Sequence, residues 1–268
     1  MTGLGSRGFR PVLCMDCAQV ARDFLYTIFM IGTITQACNT GLAFFGFGLC
    51  HQFPERSYDF GGVLWSVCAR CSGIYVGLVL ALLALHLAYR KLGGGGQRHG
   101  MMYWPYWIFL AAGLAFMGWD GVSSYAGWRE TTNFLRWITG IGMGASLAPL
   151  LYYLLVNNLA KESVDEPVMG GGVRPWLYVA ASMLLSFILV YPLGPVLGVA
   201  GALFAALCMW LTFALLLLSL LGVAKPFYRR VAGWRDLVLP GALAMILALV
   251  LIVGLSLLNG FQLATLGA

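Results

Sequence analysis

Residues 72–88 read SGIYVGLVLALLALHLA, an apolar run without a single Asp, Glu, Lys or Arg. A helix needs roughly 20 apolar residues to cross a hydrocarbon core about 30 Å thick, and this run approaches that length. Its apolar residues are continuous instead of alternating with polar ones, which favours a helix over a strand of a membrane barrel. A helix also satisfies its own backbone hydrogen bonds where no water is present. The stretch therefore predicts a membrane-spanning helix.

Similar apolar runs recur along the chain. Of its 268 residues, 60% are hydrophobic and 10% are charged, whereas soluble domains carry about 25% charged residues. Scanning for runs of this kind predicts about seven spans, at residues 24–49, 63–88, 103–119, 135–159, 175–190, 193–221 and 237–258. We therefore expect an all-α polytopic membrane protein.

The basic residues predict the orientation of these spans, because Lys and Arg near span ends collect on the cytoplasmic side. With the N-terminus inside, twelve basic and six acidic residues lie on the inner side, and four of each lie on the outer side. The net charge of +6 then belongs to the inner face, where anionic lipids attract it, and it gives no reason to expect nucleic acid. We expect a multi-pass protein of the inner (plasma) membrane, with its C-terminus outside.

The chain divides into four predicted parts. These are a cytoplasmic segment at residues 1–23, a four-helix core at 24–160, a flexible loop at 161–174 and an apolar three-helix part at 175–268. The first part contains the C-x-x-C pair Cys14 and Cys17, which could be a redox pair, half of a metal site or two reduced thiols.

The outer charges concentrate in two stretches, residues 49–75 and 119–137. Each stretch holds two arginines and two acids, so neither carries a solubilising excess of one sign. Balanced charges at a membrane face usually pair with one another or with a substrate. We expect the two stretches to form the two walls of one site.

The first wall contains a cysteine and histidine constellation with metal-ligand character. Cys68 and Cys71 stand three apart, so on a helix they share one face, and Cys50 and His51 come from the preceding turn. Zinc takes four nitrogen, sulfur or oxygen ligands in a tetrahedron, and catalytic zinc leaves one position to water or substrate. These four residues are the predicted metal ligands, with zinc the expected metal, iron the alternative, and His51 or Asp120 completing the sphere.

Two other readings of the cysteines stay open. On an oxidising side of the membrane, Cys68 and Cys71 could form a disulfide that exchanges with Cys50 and passes electrons to a membrane quinone. Alternatively, a structural metal or disulfide could only fix the hairpin of a non-catalytic membrane subunit.

The arginines of both walls suit an anionic substrate, because guanidinium groups bind carboxylate or phosphate in a bidentate manner. An enzyme of this kind would use a metal-activated water on a lipid-linked ester or phosphate. The predicted catalytic residues are Asp120, Arg129, Glu130 and Arg136; the predicted substrate-binding residues are Arg56, Ser57, Arg70, Tyr75 and Asn133. The alternative for the second wall is a pair of internal ion pairs, Asp120–Arg129 and Glu130–Arg136.

Small residues four apart predict how the spans pack, since they let helix backbones approach in lipid. Gly73 and Gly77 stand in the second span, and Gly140 and Gly144 in the fourth. We expect these two spans to pack closely and so to bring the cysteines and arginines together. Thr131 or Thr132 is the expected N-cap of the fourth span.

The motifs Cys50-His51-Gln52-x-Pro54-x-Arg56-Ser57 and Cys68-Ala-Arg-Cys-Ser-Gly-Ile-Tyr75-x-Gly77 resemble those of bacterial and archaeal membrane proteins classed as domain of unknown function 2085. Asp120-Gly121 and the run from Arg129-Glu130-Thr131 to Gly140 resemble the second motif of that family. The resemblance covers roughly residues 46–144 and implies a shared site without naming a reaction. The expected partners are membrane lipid, a lipid-linked substrate and either a second copy or a larger membrane complex.

Overall fold

The structure is a computed structural model, and it describes residues 36–50, 52–60, 62–91, 97–170, 172–191 and 193–266. Most of them are helical. We label the helical residues 36–47 α1; the others are α2 (Ala69–Lys91), α3 (Trp104–Tyr125), α4 (Asn133–Leu159), α5 (Val173–Val190), α6 (Gly194–Leu197), α7 (Val199–Leu221) and α8 (Trp234–Leu266). The predicted segment 1–23, with Cys14 and Cys17, lies outside the described residues, as does His51.

In the described part of the chain, four short strands lie between the helices. β1 (Asp59–Phe60) pairs antiparallel with β2 (Val63–Leu64), and β3 (Arg98–Gly100) pairs parallel with β4 (Val164–Pro167). The first pair forms a small hairpin, so the second predicted span begins at Ala69 instead of residue 63. Cys68 therefore stands immediately before α2 instead of on its face.

Five of the described helices are long and apolar enough to cross a membrane. They are Ala69–Tyr89, Asn133–Leu159, Val173–Val190, Val199–Leu221 and Trp234–Phe261. α3 is 22 residues long but is not among them, because its tryptophans, tyrosines and serines, together with Asp120, lower its hydropathy. The chain is a mostly helical membrane protein; the predicted number of seven spans also counts α3 and the run at residues 24–49.

The backbones of α2 and α4 touch, as their glycines predict. A Cβ added at Gly73 would lie 2.7 Å from the Trp137 carbonyl oxygen, and one at Gly77 would lie 2.9 Å from that of Ile141. From the other side, a Cβ on Gly140 would collide with the Arg70 carbonyl. The residue numbers of the contacting pairs increase along both helices, from Gly73 and Trp137 to Gly77 and Ile141. α2 and α4 therefore run parallel and begin at the same end of the bundle.

Most of the core of the described helices lies in two clusters of buried residues, and a small third cluster joins α4, α7 and α8 through Leu159, Leu218 and Ala244. One cluster joins α2, α3, α4 and α5 and includes Leu85, Tyr106 and Val179. The other joins the residues around the first hairpin to α4 and α7 and includes Trp65 and Trp137. Both clusters contain residues from before and after residue 161, so the predicted core and the predicted C-terminal part pack on each other.

Within the segment predicted as a flexible loop, residues 161–174, the described residues include a short strand and two core residues. β4 pairs with β3, and the following Val168 and Met169 are almost fully buried. The strands approach closely because β3 ends in a glycine: a Cβ on Gly100 would lie 2.6 Å from the carbonyl carbon of Glu166. The strand pairing and the two core residues hold residues 164–169 against the rest of the structure.

Two glycine-to-alanine substitutions in α4, one at the contact with α2 and one away from it, should change the stability in opposite directions. Gly140→Ala should lower the free energy of unfolding by about 1–3 kcal/mol, because the new methyl group overpacks the helix contact. Gly142→Ala, in the same helix, meets no atom within 4 Å, so it should raise stability by about 0.5–1 kcal/mol through the better helix propensity of alanine. The midpoint of unfolding in detergent, followed by circular dichroism, measures both. Equal shifts in the two variants would contradict the packing.

Candidate metal centre

Three of the predicted metal ligands meet at the end of the bundle where α2 begins. Cys50 follows the turn after α1, Cys68 precedes α2, and Cys71 lies in its first turn. Their Sγ atoms all lie within 4.8 Å of one another. All three are half-buried free thiols, and the Cys68 backbone N–H donates to Cys50 Sγ at 3.4 Å. The arrangement can hold a metal ion; His51, the fourth predicted ligand, is outside the described residues.

We call the described residues between α1 and α2 the cysteine loop. Two residues that the sequence analysis did not assign hold this loop against α1. Gln52 Nε2 donates to the carbonyl oxygens of Ala43, at 2.6 Å, and Ser66, at 2.7 Å. Gly46 lets the loop approach, because a Cβ there would collide with the Ser66 carbonyl. The signal was present in the sequence, since Gln52 follows the Cys50-His51 pair directly.

The three thiols influence one another's ionisation. Hydrogen bonds from Cys68 and then Cys71 lower the pKa of Cys50. The hydrogen bond to Cys50 in turn raises the pKa of Cys68. Further thiolates become favourable when a cation neutralises the cluster, because metals bind cysteine in its deprotonated form.

Asp120 connects the two predicted walls. It is 1% exposed, near the end of α3, and its carboxylate accepts from Arg70 Nε at 3.0 Å, Arg129 Nη2 at 2.7 Å and Thr131 Oγ1 at 2.6 Å. Arg70 Nη2 donates to it as well. Since both oxygens are engaged, Asp120 is unsuited to complete a metal sphere, and it is not part of the metal-competent cysteine group.

Of the two ion pairs predicted in the second wall, one forms and the other is not found among the described residues. Asp120–Arg129 forms at 2.7 Å. Glu130 is exposed, and within the described ranges of the chain it forms no ion pair with Arg136. The carboxylate of Asp120 pairs with an arginine from each wall, so the loop after α3 is held to the start of α2 instead of only to itself.

Arg136 is a buried cation without a carboxylate partner among the residues described. It is 8% exposed, and its Nη1 donates to Asn133 Oδ1 at 3.1 Å. Asn133 in turn donates to the Ser57 carbonyl at 3.1 Å and accepts from the Tyr58 hydroxyl through its own carbonyl at 3.0 Å. These bonds fasten the first turn of α4 to the cysteine loop. An uncompensated buried charge is costly, which favours a negative group nearby.

The remaining predicted substrate-binding residues occupy different surroundings. The Arg56 guanidinium stacks over the rings of Phe53, at 5.0 Å, and Tyr125, at 5.1 Å. Ser57 is buried. Tyr75 is half-buried one turn beyond Cys71, with its ring 6.1 Å from that of Phe213.

Comparison with known proteins shows to which family the chain with this cysteine group and Asp120 network is related. The family described as "Predicted membrane protein (DUF2085)" matches residues 50–150. An uncharacterized protein of Methanothermobacter thermautotrophicus is 35% identical over 103 residues, which are 38% of this chain and 83% of that protein. The chain belongs to the DUF2085 family. The resemblance seen in the motifs is thereby confirmed.

A second relative is similar at about the same identity but is covered over a smaller share of its own length. An uncharacterized protein of Methanocaldococcus jannaschii is 34% identical over 107 residues, which are 40% of this chain and 62% of that protein. No solved structure matches the chain. The part shared with the DUF2085 family contains the cysteine group, the Asp120 network and most of α4, whereas α5 to α8 lie beyond it.

In this DUF2085 protein, two hydroxyl groups support the charged network, a role that the sequence analysis assigned to neither of them. Ser123 Oγ accepts from Arg129 Nε at 2.9 Å, and Thr131 donates to Asp120. Thr132, one of the two expected caps, is the N-cap of α4 and accepts from the Leu135 N–H at 3.3 Å. Capping by Thr132 leaves Thr131 available to the carboxylate.

Removing the Asp120 charge should unfold or loosen this end of the DUF2085 protein. Asp120→Asn leaves two guanidiniums without their carboxylate, and breaking a buried ion pair in this way costs about 3–5 kcal/mol. The matched control is Glu166→Gln, which removes a half-exposed pair with Arg98 and should cost about 0–1 kcal/mol. Chemical denaturation in detergent measures both, and equal costs would show that Asp120 is not the connection proposed.

Proposed function

We propose that this membrane protein binds a zinc ion through the thiolates of Cys50, Cys68 and Cys71, and that the adjoining arginines bind an anionic group. The observation that carries the proposal is the convergence of the three sulfurs within 4.8 Å of one another. Zinc–sulfur bonds of about 2.3 Å in a tetrahedron separate sulfurs by roughly 3.8 Å. Small side-chain rotations would therefore suffice to close the group on a metal.

Zinc suits this donor set and its surroundings. Thiolates are soft ligands that select zinc, Cu(I) or iron–sulfur centres over magnesium or calcium. Three thiolates around a Zn²⁺ ion leave one net negative charge, which the buried Arg136 could compensate. The fourth position would go to His51, or to water or substrate as in catalytic zinc sites.

The chemistry that best fits such a centre is hydrolysis of a lipid-linked ester or phosphate. Bound zinc would supply an activated water, and guanidinium groups would hold the anionic part of the substrate. In this scheme Arg129 and Arg136 bind the developing negative charge, and the exposed Glu130 is the available acid or base. Asp120 positions Arg70 and Arg129 instead of exchanging protons, because its carboxylate is engaged by two guanidiniums.

We also propose seven spans with the N-terminus inside, which places the cysteine group on the outer side of the inner membrane. The support is the distribution of charge between the two ends of the bundle. Near the end opposite the cysteines lie Arg98, Lys161, Arg174, Lys225, Arg229, Arg230 and Arg235. Basic residues of this kind stay in the cytoplasm.

A membrane-impermeant maleimide applied to intact cells tests this orientation. Ala126→Cys, at the exposed end of α3, should be labelled above the wild-type background, whereas Gly233→Cys, exposed before α8, should be labelled only after lysis. The reverse pattern would place the cysteine group in the cytoplasm.

The second candidate function is thiol–disulfide exchange, and the same three free sulfurs support it. In that reaction Cys68 and Cys71 lose two protons and two electrons to a membrane quinone, so that an S–S bond forms and the quinone becomes a quinol. Metal binding engages all three sulfurs at once, whereas a Cys68–Cys71 disulfide joins two of them and leaves Cys50 only as the thiol with which it exchanges. For this reason we favour the metal.

Metal analysis of the purified full-length protein distinguishes these functions. We expect roughly one zinc ion per chain, as a single tetrahedral site requires, and its loss in a Cys68→Ser, Cys71→Ser variant. Cys208→Ser is the matched control, because that free cysteine is buried in α7 and is not a member of the cysteine group, so its loss should leave the zinc content unchanged.

Three other outcomes would contradict the catalytic zinc proposal. Metal-free protein whose Cys68–Cys71 bond opens with a reductant would favour thiol–disulfide exchange. Stoichiometric iron would exclude zinc as the resident metal. Zinc that persists in Arg129→Gln and Arg136→Gln variants without any effect on growth would indicate a structural clamp in a non-catalytic subunit.

A further inference from the structure

A cleft opens on α3 next to the Asp120 network. Its volume is about 610 Å³, and its lining includes Arg70, Gly118, Gly121, Val122 and Tyr125. Every lining residue except Arg70 belongs to α3 or its C-cap. The cleft therefore combines one charged side chain with the surface of a single helix.

Two glycines keep the cleft open. A Cβ added at Gly118 would meet no atom within 4 Å, and one at Gly121 would meet only Arg70 Nη1, at 3.7 Å. The absence of side chains at these positions exposes the edge of the guanidinium. The Arg70 side chain is 14% exposed, so it remains reachable although it is paired with Asp120.

The charges around the cleft favour an anion. Arg70 and Arg129 share a single carboxylate, that of Asp120, which leaves one positive charge in excess. Arg56 adds a second cation at the rim, where it stacks on Tyr125, and over the described ranges it joins no ion pair. A phosphate group there would accept from the Arg70 guanidinium, whose Nη1 borders the space over Gly121, and the charge of Arg56 would add to the attraction.

The surface that continues from the cleft is apolar. Phe116, Trp119 and Val122 of α3 are 69%, 60% and 59% exposed, which would be costly in water for side chains of this size. In a protein that spans a membrane, such a face meets acyl chains. A ligand that matches both parts has an anionic head and a hydrocarbon chain.

We propose that the α3 cleft binds an anionic phospholipid, with its phosphate at Arg70 and Arg56 and an acyl chain along α3. The inference rests on the proposed function in one respect, namely that the cysteine-bearing end lies at the membrane–water interface. It extends the proposed function because it names the chemical class of molecule, an anionic phospholipid, that would reach the cysteine group. A free phosphate would make no use of the apolar wall.

Binding of phosphatidylglycerol tests the proposal. The full-length protein is placed in nanodiscs of phosphatidylcholine, phosphatidylglycerol is titrated in, and bound lipid is counted by native mass spectrometry. Gly121→Leu fills the space over Arg70 and should raise the Kd by at least about tenfold, equivalent to about 1.4 kcal/mol. Gly241→Leu is the matched control, because a Cβ at this helical glycine of α8 also meets nothing within 4 Å; its Kd should equal that of the wild type.

Three results would overturn the proposal. They are unchanged affinity in Gly121→Leu, equal binding of phosphatidylcholine, and full displacement of phosphatidylglycerol by millimolar inorganic phosphate. The last would identify a site for free phosphate instead of a lipid.

Zinc content measured on the same samples separates this proposal from the metal proposal. Gly121→Leu should lose the lipid and keep the metal, whereas Cys68→Ser, Cys71→Ser should lose the metal and keep the lipid. Wild-type protein without zinc that still binds phosphatidylglycerol through the cleft would contradict the metal proposal alone. Zinc without selective lipid binding would contradict the cleft alone.

Discussion

The backbones of α2 and α4 are in direct contact through glycines, and the geometry of the cysteine-bearing end depends on this contact. Helices in lipid gain little from apolar burial, so close backbone approach and interhelical hydrogen bonds carry much of their association. Because α2 and α4 run parallel, both begin at the same end of the bundle. Cys71, in the first turn of α2, and Asn133, the first residue of α4, thereby lie at the same end of the bundle although 62 positions separate them in the chain.

Besides the glycine contact between α2 and α4, Asp120 joins α3 to the start of α2. α3 returns antiparallel to α4, and its last turns bring a buried carboxylate to the start of α2. One carboxylate holds a guanidinium from each wall, and the desolvation of these charges is offset by several hydrogen bonds to the same group. The side chain that the sequence marks as a candidate catalytic residue thus also holds two arginines in place.

The cysteine group and the arginines form one electrostatic unit. Three sulfurs within 4.8 Å of one another would carry negative charge when they bind a metal, and Arg136 is buried nearby without a carboxylate among the described residues. On the other side of Asp120, the α3 cleft presents Arg70 toward the apolar surface of its helix. A metal centre and a site for an anionic lipid, if both are present, share the same short stretch of α2.

The sequence by itself determined the class of protein, the helical spans of α2 and α4, their glycine contact and the identity of the cysteines that converge. These follow from local composition and from spacings of three or four residues, which helix geometry converts directly into shared faces. It did not reveal Gln52 and Gly46 as supports of the loop, the pairing of β3 with β4, or the position of Asp120 between two arginines. Those depend on which distant segments meet, and only tertiary packing decides which partner a buried charge, carbonyl or amide will find.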